Sequence, residues 1–317
     1  MIDMSENHWA KKGVLIQPSA GLDGYTHASH PCVLHLENDN FLLIFSMRNL
    51  QKRSHVFSVQ CEVRDGQIVL NGLPKLELGP GKMGTFDCEG LLSCCAVRVD
   101  NETAYFYYSG WNNYADGLWL CDTGLAKIDI VKNEFNRLFE GPIMCRSRHN
   151  PYFAAGTSIL KDGEMYKSWY NSGIEWYKNG NGQWEARYGV HYAESYDGID
   201  WDFKPGLVIP FKDIKEHSFG RPTVIKQADR YHMWFSCRGA FGDSQYRIGY
   251  AFSDDGIIWS RNDDLSGINI SSNYEDFDSL AQAYPYPFEH KGTFYMLYNG
   301  NNYGATGVGY SVLELHK

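Results

Sequence analysis

The chain has 317 residues, of which 43% are hydrophobic and 21% are charged, and its formal net charge at pH 7 is -9. This composition is typical of a soluble globular protein. The acidic balance argues against a nucleic-acid partner, because contacts with phosphate groups require clustered lysine and arginine. No stretch approaches 18 consecutive apolar residues, so we expect neither a membrane-spanning helix nor a membrane partner.

Residues 1–6 lack the basic region and the apolar core of a signal peptide. The eight cysteines are scattered along the chain without metal-ligand spacing. We therefore expect reduced thiols and a cytoplasmic protein, with no metal and no cofactor.

Five segments repeat one pattern: a short strand, a polar turn, and a second strand rich in aromatic residues that ends in a small polar residue. The second strands cover residues 41–46, 104–109, 165–171, 231–236 and 294–299. The first strands begin at positions 30, 93, 157, 221 and 284, a period of about 64 residues that accounts for the whole chain. The pattern predicts an all-β fold, a five-bladed β-propeller with four-stranded antiparallel blades, forming a single domain over residues 1–317.

Third and fourth strands are visible in two of the repeats. Residues 188–193 lead into a turn that contains Asp197-Gly198 and ends at Trp201, and residues 246–251 lead into a matching turn that ends at Trp259. Asp-Gly predicts a tight type I′ hairpin, because both central residues of that turn need positive φ. The two tryptophans, which occupy matching repeat positions, are predicted to pack between blades.

The last repeat lacks an outer strand, because the chain ends shortly after residues 307–311. Residues 9–16 resemble residues 201–209, which form the outer strand of the third repeat. We therefore predict that the N-terminal strand completes the last blade and closes the ring, which removes two exposed sheet edges.

Several motifs resemble the five-bladed propellers of glycoside hydrolase family 43 and its relatives, the arabinanases, invertases, levansucrases and mannoside phosphorylases. The motifs are the two Ser-x-Asp-Gly-x-x-Trp turns and the segments 220–222, 233–238 and 295–301, which together cover nearly the whole chain. The resemblance is fairly specific for the fold and much less specific for an activity.

The resemblance implies an acidic base at the start of blade one, a second Asp in blade two and a Glu acid in blade three. This chain has His30-Pro31 at the first place and Gly156-Thr157-Ser158 at the third. Only the segment 87–90, with Asp87 and Glu89, keeps carboxylates near the mouth. The departures put the usual mechanism, which depends on two carboxylates, in doubt.

The first strand of each blade should line the central channel, so we expect the functional site there. Asp87 and Glu89 are the candidate acid and base, and His30, as a neutral imidazole, could also serve as a base. Converging guanidinium groups favour a carboxylate or a phosphate as ligand. The predicted substrate-binding residues are Arg48, Trp111, Asn171, His217, Arg221, Arg238, Tyr284 and Asn299.

Each of these residues also has a structural interpretation: the arginines could pair with local acids, and the aromatic residues could pack between blades. A metal site formed by His30, His149 and His217, and a nucleophilic role for Cys94, are weaker alternatives. The sequence favours a glycosidase-like carbohydrate-active enzyme acting on an anionic or phosphorylated sugar. The alternatives are a phosphorylase or transferase that uses His and Arg, and a sugar-binding propeller without catalysis.

Overall fold

A computed structural model describes residues 8–19, 21–239 and 245–314 of the chain. Within these residues, twenty β-strands form five consecutive units of four antiparallel strands each. This grouping is consistent with the five blades that the repeat predicts, and the fold is an all-β propeller. The helical segments of the described residues are short, and none has the length and hydropathy of a membrane-spanning helix.

The strands of each unit follow one another in the chain, except in the last unit. Unit 1 contains β2 (Tyr25–His35), β3 (Asn40–Asn49), β4 (Ser54–Arg64) and β5 (Gln67–Leu78). Unit 2 contains β6 (Gly90–Arg98), β7 (Thr103–Asn113), β8 (Trp119–Asp129) and β9 (Glu134–Arg137). Unit 3 contains β10 (Ala154–Asp162), β11 (Met165–Lys178), β12 (Trp184–Ser195) and β13 (Asp202–Lys204).

The same arrangement continues in the second half of the chain. Unit 4 contains β14 (Ser218–Gln227), β15 (Arg230–Arg238), β16 (Arg247–Ser253) and β17 (Ser260–Arg261). Unit 5 contains β18 (Ala283–His290), β19 (Thr293–Asn299), β20 (Val308–Glu314) and β1 (His8–Ile16). The helical segments are the 3-10 turns Ala115–Gly117 and Asp263–Ser266 and the four-residue segment Asn301–Gly304.

The N-terminal strand completes unit 5, as the sequence predicts. β1 runs antiparallel to β20, with Trp9 opposite Leu313. Lys11 Nζ lies 2.6 Å from Oδ2 of the buried Asp278. Trp9 is 3% exposed, and its ring packs edge-on against Trp234 of unit 4 at 5.7 Å between centroids. The chain ends are therefore held together by a sheet, an ion pair and an aromatic contact.

The hydrophobic core is divided into clusters that lie between neighbouring units. Ile44 of unit 1 shares one cluster with Phe106 of unit 2, and Trp169 of unit 3 shares another with Val224 of unit 4. Further clusters join units 2 and 3, units 4 and 5, and units 5 and 1. Each sheet is therefore buried on both faces by its neighbours, which explains why the aromatic second strands are almost entirely buried.

The predicted tryptophan contacts between units are confirmed. Trp201 of unit 3 packs against Tyr107 of unit 2 at 6.5 Å, and Trp259 of unit 4 packs against Trp169 of unit 3 at 5.9 Å. The turns that precede them are not two-residue type I′ hairpins. Only the glycine of each Asp-Gly pair has positive φ, and the Asp197 carboxylate instead accepts hydrogen bonds from the next backbone N–H groups of its turn.

Every innermost strand has a β-bulge near its start, where the five units meet. The register shifts fall between Ser29 and Cys32, Ser93 and Cys95, Ala155 and Ser158, Gly220 and Thr223, and Ala283 and Tyr286. His30 and Tyr284 within these bulges have φ of 54°, a conformation that is costly for residues other than glycine. Bulges of this kind redirect side chains and are frequent beside active sites.

The small polar residues that end the second strands connect neighbouring units. Four of them accept a hydrogen bond from the backbone N–H at the bulge of the next unit. The bonds run from Ser93 N to Ser46 Oγ (2.9 Å), from Gly156 N to Ser109 Oγ (2.8 Å), from Tyr284 N to Ser236 Oγ (2.7 Å) and from His30 N to Asn299 Oδ1 (3.3 Å). The repeat motif therefore satisfies the backbone donors that the bulges release from sheet pairing.

Candidate functional site

The starts of the inner strands surround a cavity of about 420 Å³ that is open at the end where the second and third strands are joined. All five units contribute to its lining. The lining residues are His30, Arg48, Leu92, Cys94, Ser109, Trp111, Asn113, Trp119, Cys121, Phe153, Ala155, Gly156, Asn171, Trp184, Glu185, Ala186, Tyr188, Gly220, Arg221, Arg238, Tyr246, Tyr284 and Tyr303.

One wall of the cavity is cationic. Arg48 of unit 1 and Arg221 and Arg238 of unit 4 all reach the lining. The arginines that form ion pairs within the described residues are others, such as Arg53 and Arg137. None of the three cavity arginines has a carboxylate partner in the described part of the chain. The described lining contains one carboxylate, that of Glu185, which interacts electrostatically with Arg238. Three arginines against one carboxylate leave an excess of positive charge, which favours an anionic ligand.

Arg221 is the most deeply buried of the three, with 2% of its surface exposed. Its Nη1 donates to the carbonyl oxygens of Ser93 and Cys94 at 3.2 and 3.1 Å. Its Nη2 donates to the carbonyl oxygens of Pro31 and Tyr284 at 2.9 and 2.8 Å. The guanidinium group therefore joins units 1, 2 and 5 to unit 4, while Nε remains without a hydrogen-bond partner among the described residues.

His30 lies beside this guanidinium group and is uncharged at neutral pH. Burial, together with the positive charges of Arg221 and Arg48, holds the pKa of His30 well below the usual value of 6.5. Its ring stacks on Tyr284 at 3.7 Å between centroids, and its Nδ1 lies 3.0 Å from Ser29 Oγ. A neutral imidazole in this position can exchange a proton with a bound ligand.

Tyrosine hydroxyl groups surround the third arginine. Arg238 Nη1 donates to the hydroxyl of Tyr303 at 3.0 Å, and its guanidinium lies 5.4 Å from the ring centroid of Tyr246. The hydroxyls of Tyr246 and Tyr188 share a hydrogen bond of 2.6 Å. Burial raises the pKa of both Tyr188 and Tyr246, so both hydroxyls remain protonated at neutral pH. One of the two hydroxyls donates to the other, and the one that accepts this hydrogen bond keeps its own proton for donation to a ligand in the cavity.

The aromatic wall of the cavity is formed by units 2 and 3. It contains Trp111, Trp119, Phe153 and Trp184. Trp119 packs against Phe153 at 5.0 Å, and Trp111 Nε1 donates to Ser54 Oγ at 2.8 Å. The three tryptophan rings, which are at least partly exposed, offer stacking surfaces to the apolar faces of a sugar.

Glu185, at the start of β12, is the carboxylate that the described structure brings to the cavity lining. It accepts hydrogen bonds from the Tyr177 hydroxyl and from Asn179 Nδ2, both at 3.0 Å. The pKa of Glu185 lies below its usual value. Burial acts to raise it, but the two hydrogen bonds and the electrostatic effects of Arg238 and His217 outweigh burial. Glu185 is therefore ionised at neutral pH and held in one orientation.

Seven of the residues selected from the sequence do line the cavity: His30, Arg48, Trp111, Asn171, Arg221, Arg238 and Tyr284. The structure does not bring Asp87 and Glu89 to the lining. Asp87 is 1% exposed and accepts a hydrogen bond from Arg137 Nε at 2.9 Å, while Glu89 pairs with Arg53 at 3.3 Å. Their assignment as acid and base stays a prediction that this geometry does not support.

His217 and Asn299 are also outside the lining. His217 Nδ1 lies 2.7 Å from Ser218 Oγ, and burial and Arg238 lower its pKa. Asn299 is fully buried, and its Oδ1 accepts the backbone N–H of His30. Asn171, its counterpart in unit 3, does line the cavity, and its Nδ2 has no hydrogen-bond partner among the described residues.

The lining residues that were not selected from the sequence include Trp119, Trp184, Glu185, Tyr188 and Tyr246. These five lie within the first residues of a third strand or immediately before it. The sequence analysis placed only first and second strands at the cavity, although the repeat marks the third strands too. The missing information was how far the hairpins between second and third strands extend.

The alternatives that involve metal or thiol chemistry gain nothing from this geometry. No three histidine, cysteine, aspartate or glutamate side chains in the described ranges are grouped to hold a metal ion. Cys94 lines the cavity with its Sγ 3.2 Å from Ser109 Oγ, and burial raises its pKa. A protonated thiol is a poor nucleophile.

Two proteins of Mycobacterium tuberculosis match nearly the whole chain. They are Uncharacterized protein MT1551 of strain CDC 1551 / Oshkosh and Uncharacterized protein Rv1502 of strain ATCC 25618 / H37Rv. Each is 34% identical over 307 residues, which cover 96% of this chain and 99% of the mycobacterial protein. This chain belongs to their family. No protein-family model matches the chain.

Solved structures with this architecture include several glycoside hydrolases. One protein described as a glycoside hydrolase has a TM-score of 0.74 and 17% identity, covering 99% of this chain and 93% of its own. The GH43_1 enzyme of Xanthomonas citri, solved in complex with xylose, has a TM-score of 0.62 and 15% identity, with 96% and 90% covered. The sucrose-6-phosphate hydrolase of Lactobacillus gasseri has a TM-score of 0.65 and 14% identity, with 98% and 61% covered. At these identities the similarity establishes the propeller fold.

Proposed function

We propose that this family consists of carbohydrate-active enzymes whose central cavity binds an anionic sugar, or a sugar together with phosphate. The observation that carries the proposal is the combination of arginines and aromatic rings in the lining of one cavity. Arg48, Arg221 and Arg238 form a cationic wall without carboxylate partners among the described residues, and Trp119 and Trp184 belong to an aromatic wall. The fold shared with glycoside hydrolases supports a carbohydrate as the ligand class.

The arginines contribute to this site in different ways. The terminal nitrogens of Arg221 already donate to backbone carbonyls, so Arg221 supplies a fixed positive charge more than free hydrogen bonds. Arg48 is partly exposed, and Arg238 keeps Nε without a partner among the described residues. We therefore assign direct contact with the anion to Arg48 and Arg238. Arginine suits this role because its planar donors match the geometry of carboxylate and phosphate.

The composition of the lining favours transfer to phosphate over direct hydrolysis. Hydrolysis by the usual mechanism needs two carboxylates flanking the scissile bond. Glu185 is the single carboxylate in the lining that the described residues form. One carboxylate together with arginines suits a phosphorylase or transferase. Hydrogen phosphate held by the arginines would attack the anomeric carbon, the glycosidic C–O bond would break, and the leaving oxygen would take up the proton that the phosphate gives up. The eight cysteines are all free, which agrees with a cytoplasmic site of action.

Calorimetric titration tests the anion site directly. The ligands are inorganic phosphate, glucose 6-phosphate and glucuronate, each compared with glucose. Arg48→Ala and Arg238→Ala should weaken the binding of every anion by at least about tenfold, which corresponds to 1.4 kcal/mol. Arg230→Ala is the matched control, because Arg230 pairs with Asp254 outside the cavity. Equal affinities for the wild type and the two cavity variants would refute the anion site.

A product assay separates the two reaction types. Disaccharides are incubated with the protein in the presence and absence of phosphate, and sugar phosphates are sought by mass spectrometry. Phosphate-dependent formation of a sugar 1-phosphate that Glu185→Gln abolishes supports phosphorolysis. Release of free sugar without phosphate supports hydrolysis instead, and binding without any product supports the non-catalytic alternative.

A further inference from the structure

The aromatic wall belongs to two hairpins that extend farther than their equivalents. The hairpin between β7 and β8 is paired as far as Asn113 and Trp119, and that between β11 and β12 as far as Lys178 and Trp184. In unit 3 the pairing continues well past Asn171, the residue that ends the second strand of the repeat. In unit 5 the pairing stops at the equivalent residue, Asn299. Units 2 and 3 therefore raise one side of the cavity mouth above the other.

A second recess lies against these hairpins and is continuous with the cavity. Its lining consists of Gly117, Lys178, Gly182, Gln183, Trp184 and Glu185. Trp184 and Glu185 line both spaces, so they stand at the boundary between them. The described structure thus offers two adjoining compartments, one with arginines and one without.

The recess has the chemical character of a site for a neutral sugar. Trp184 is 37% exposed, and Lys178 Nζ lies 5.2 Å from its ring centroid. Gln183 provides both a donor and an acceptor for hydroxyl groups, and the backbone of Gly117 and Gly182 is accessible beside it. Lys178 and Glu185 add a donor and an acceptor of opposite charge to this lining. An aromatic ring next to such hydrogen-bonding groups matches the apolar face and the hydroxyl rim of a pyranose.

We infer that the ligand is at least a disaccharide, with its anionic unit among the arginines of the cavity and a neutral unit in the recess against Trp184. This inference rests on the proposed anion site and extends it to the length of the substrate. It places the bond between the two units beside Glu185, whose carboxylate is oriented by Tyr177 and Asn179. A bound free sugar phosphate would leave the recess empty.

The experiment compares anionic monosaccharides with the disaccharides that extend them, using glucose 6-phosphate with trehalose 6-phosphate and a panel of matched uronic acid pairs. Calorimetry should find at least one disaccharide that binds about tenfold more tightly than its own anionic unit. Trp184→Ala should remove most of that gain and weaken the binding of the monosaccharide by a much smaller factor, because Trp184 also borders the cavity, and Trp184→Phe should restore part of the gain. Ile174→Ala is the control, because Ile174 is exposed on the same hairpin and lines neither space.

The outcomes distinguish this inference from the proposal on which it rests. If no disaccharide exceeds its own monosaccharide, or if Trp184→Ala weakens both to the same extent, the recess is not a subsite while the anion site stands. If no anionic sugar binds, or if Arg48→Ala and Arg238→Ala leave binding unchanged, the anion site and the longer ligand are both wrong. Circular dichroism confirms that each variant is folded.

Discussion

Replacing Arg221 by methionine should destabilise the whole propeller rather than only weaken a ligand. The methionine keeps much of the aliphatic volume but removes the guanidinium group. Four backbone carbonyl oxygens, those of Pro31, Ser93, Cys94 and Tyr284, would lose donors that now lie 2.8 to 3.2 Å away. A buried acceptor without a donor costs about 1–3 kcal/mol. Because such contributions are not additive and water in the cavity can replace part of them, we take the lower bound, a loss of about 4 kcal/mol.

Urea denaturation followed by tryptophan fluorescence and circular dichroism measures this loss. A second variant, Arg221→Lys, retains the charge but cannot place donors on carbonyl groups of three different units, since its three protons share one nitrogen. We expect it to recover less than half of the stability. A hydrogen bond from a charged group normally contributes more than about 1 kcal/mol to stability. If Arg221→Met lowers the free energy of unfolding by less than that, the contacts with the carbonyl groups do not hold the units together.

Three further predictions concern stability. Ser236→Ala should lower the free energy of unfolding by about 1–2 kcal/mol, because the backbone N–H of Tyr284 loses its acceptor. An unchanged urea midpoint would contradict a stabilising role for the hydrogen bonds that connect neighbouring units. Trp9→Ala should lower the free energy of unfolding by about 3–5 kcal/mol, because it leaves a cavity beside Trp234 where β1 closes the ring of blades. A small loss, typical of a surface substitution, would argue against closure of the ring by β1. Burial lowers the pKa of His232 to about 4, so below pH 6.5 the unfolded chain binds a proton that the folded chain does not. His232 should therefore contribute a fall of about 3 kcal/mol in the free energy of unfolding between pH 6.5 and pH 4, and His232→Gln should remove that contribution from the pH dependence in calorimetric scans.

Some of the site could be predicted from the sequence because the repeat marks its position. A residue at the start of an inner strand faces the axis in every unit, so His30, Arg221 and Tyr284 could be placed at the cavity from their position in the period. The selection of Asp87 and Glu89 as acid and base had a different basis, their position just ahead of the second blade, and it stays a prediction. Both precede β6 in a loop, and loop residues have no periodicity that fixes the direction of their side chains. In the structure both are paired with arginines outside the cavity lining.

For the small polar residues at the ends of the second strands, the sequence shows their position and only the structure shows their role. Their recurrence was visible in the sequence, but Ser46, Ser109 and Ser236 make their hydrogen bonds to the following unit, about 47 residues away along the chain. Only the closed ring shows that one position of the motif serves as a connection between units. Asn171 lines the cavity, as Ser109 does, and its Nδ2, like that of Asn299, has no hydrogen-bond partner among the described residues.

The sequence by itself determined the propeller, the closure by the N-terminal strand and the position of the cavity. These three features follow from the period of the strands and from the need to bury both faces of every sheet. The strand period and the hydrophobic pattern of each strand repeat along the chain, so the sequence shows them directly. Only the tertiary structure decided which charges remain without a partner at the axis. Whether an arginine meets a carboxylate depends on residues that lie far apart in the chain, as with Arg137 and Asp87. It also depends on how far the hairpins extend that bring Trp184 and Glu185 to the mouth of the cavity.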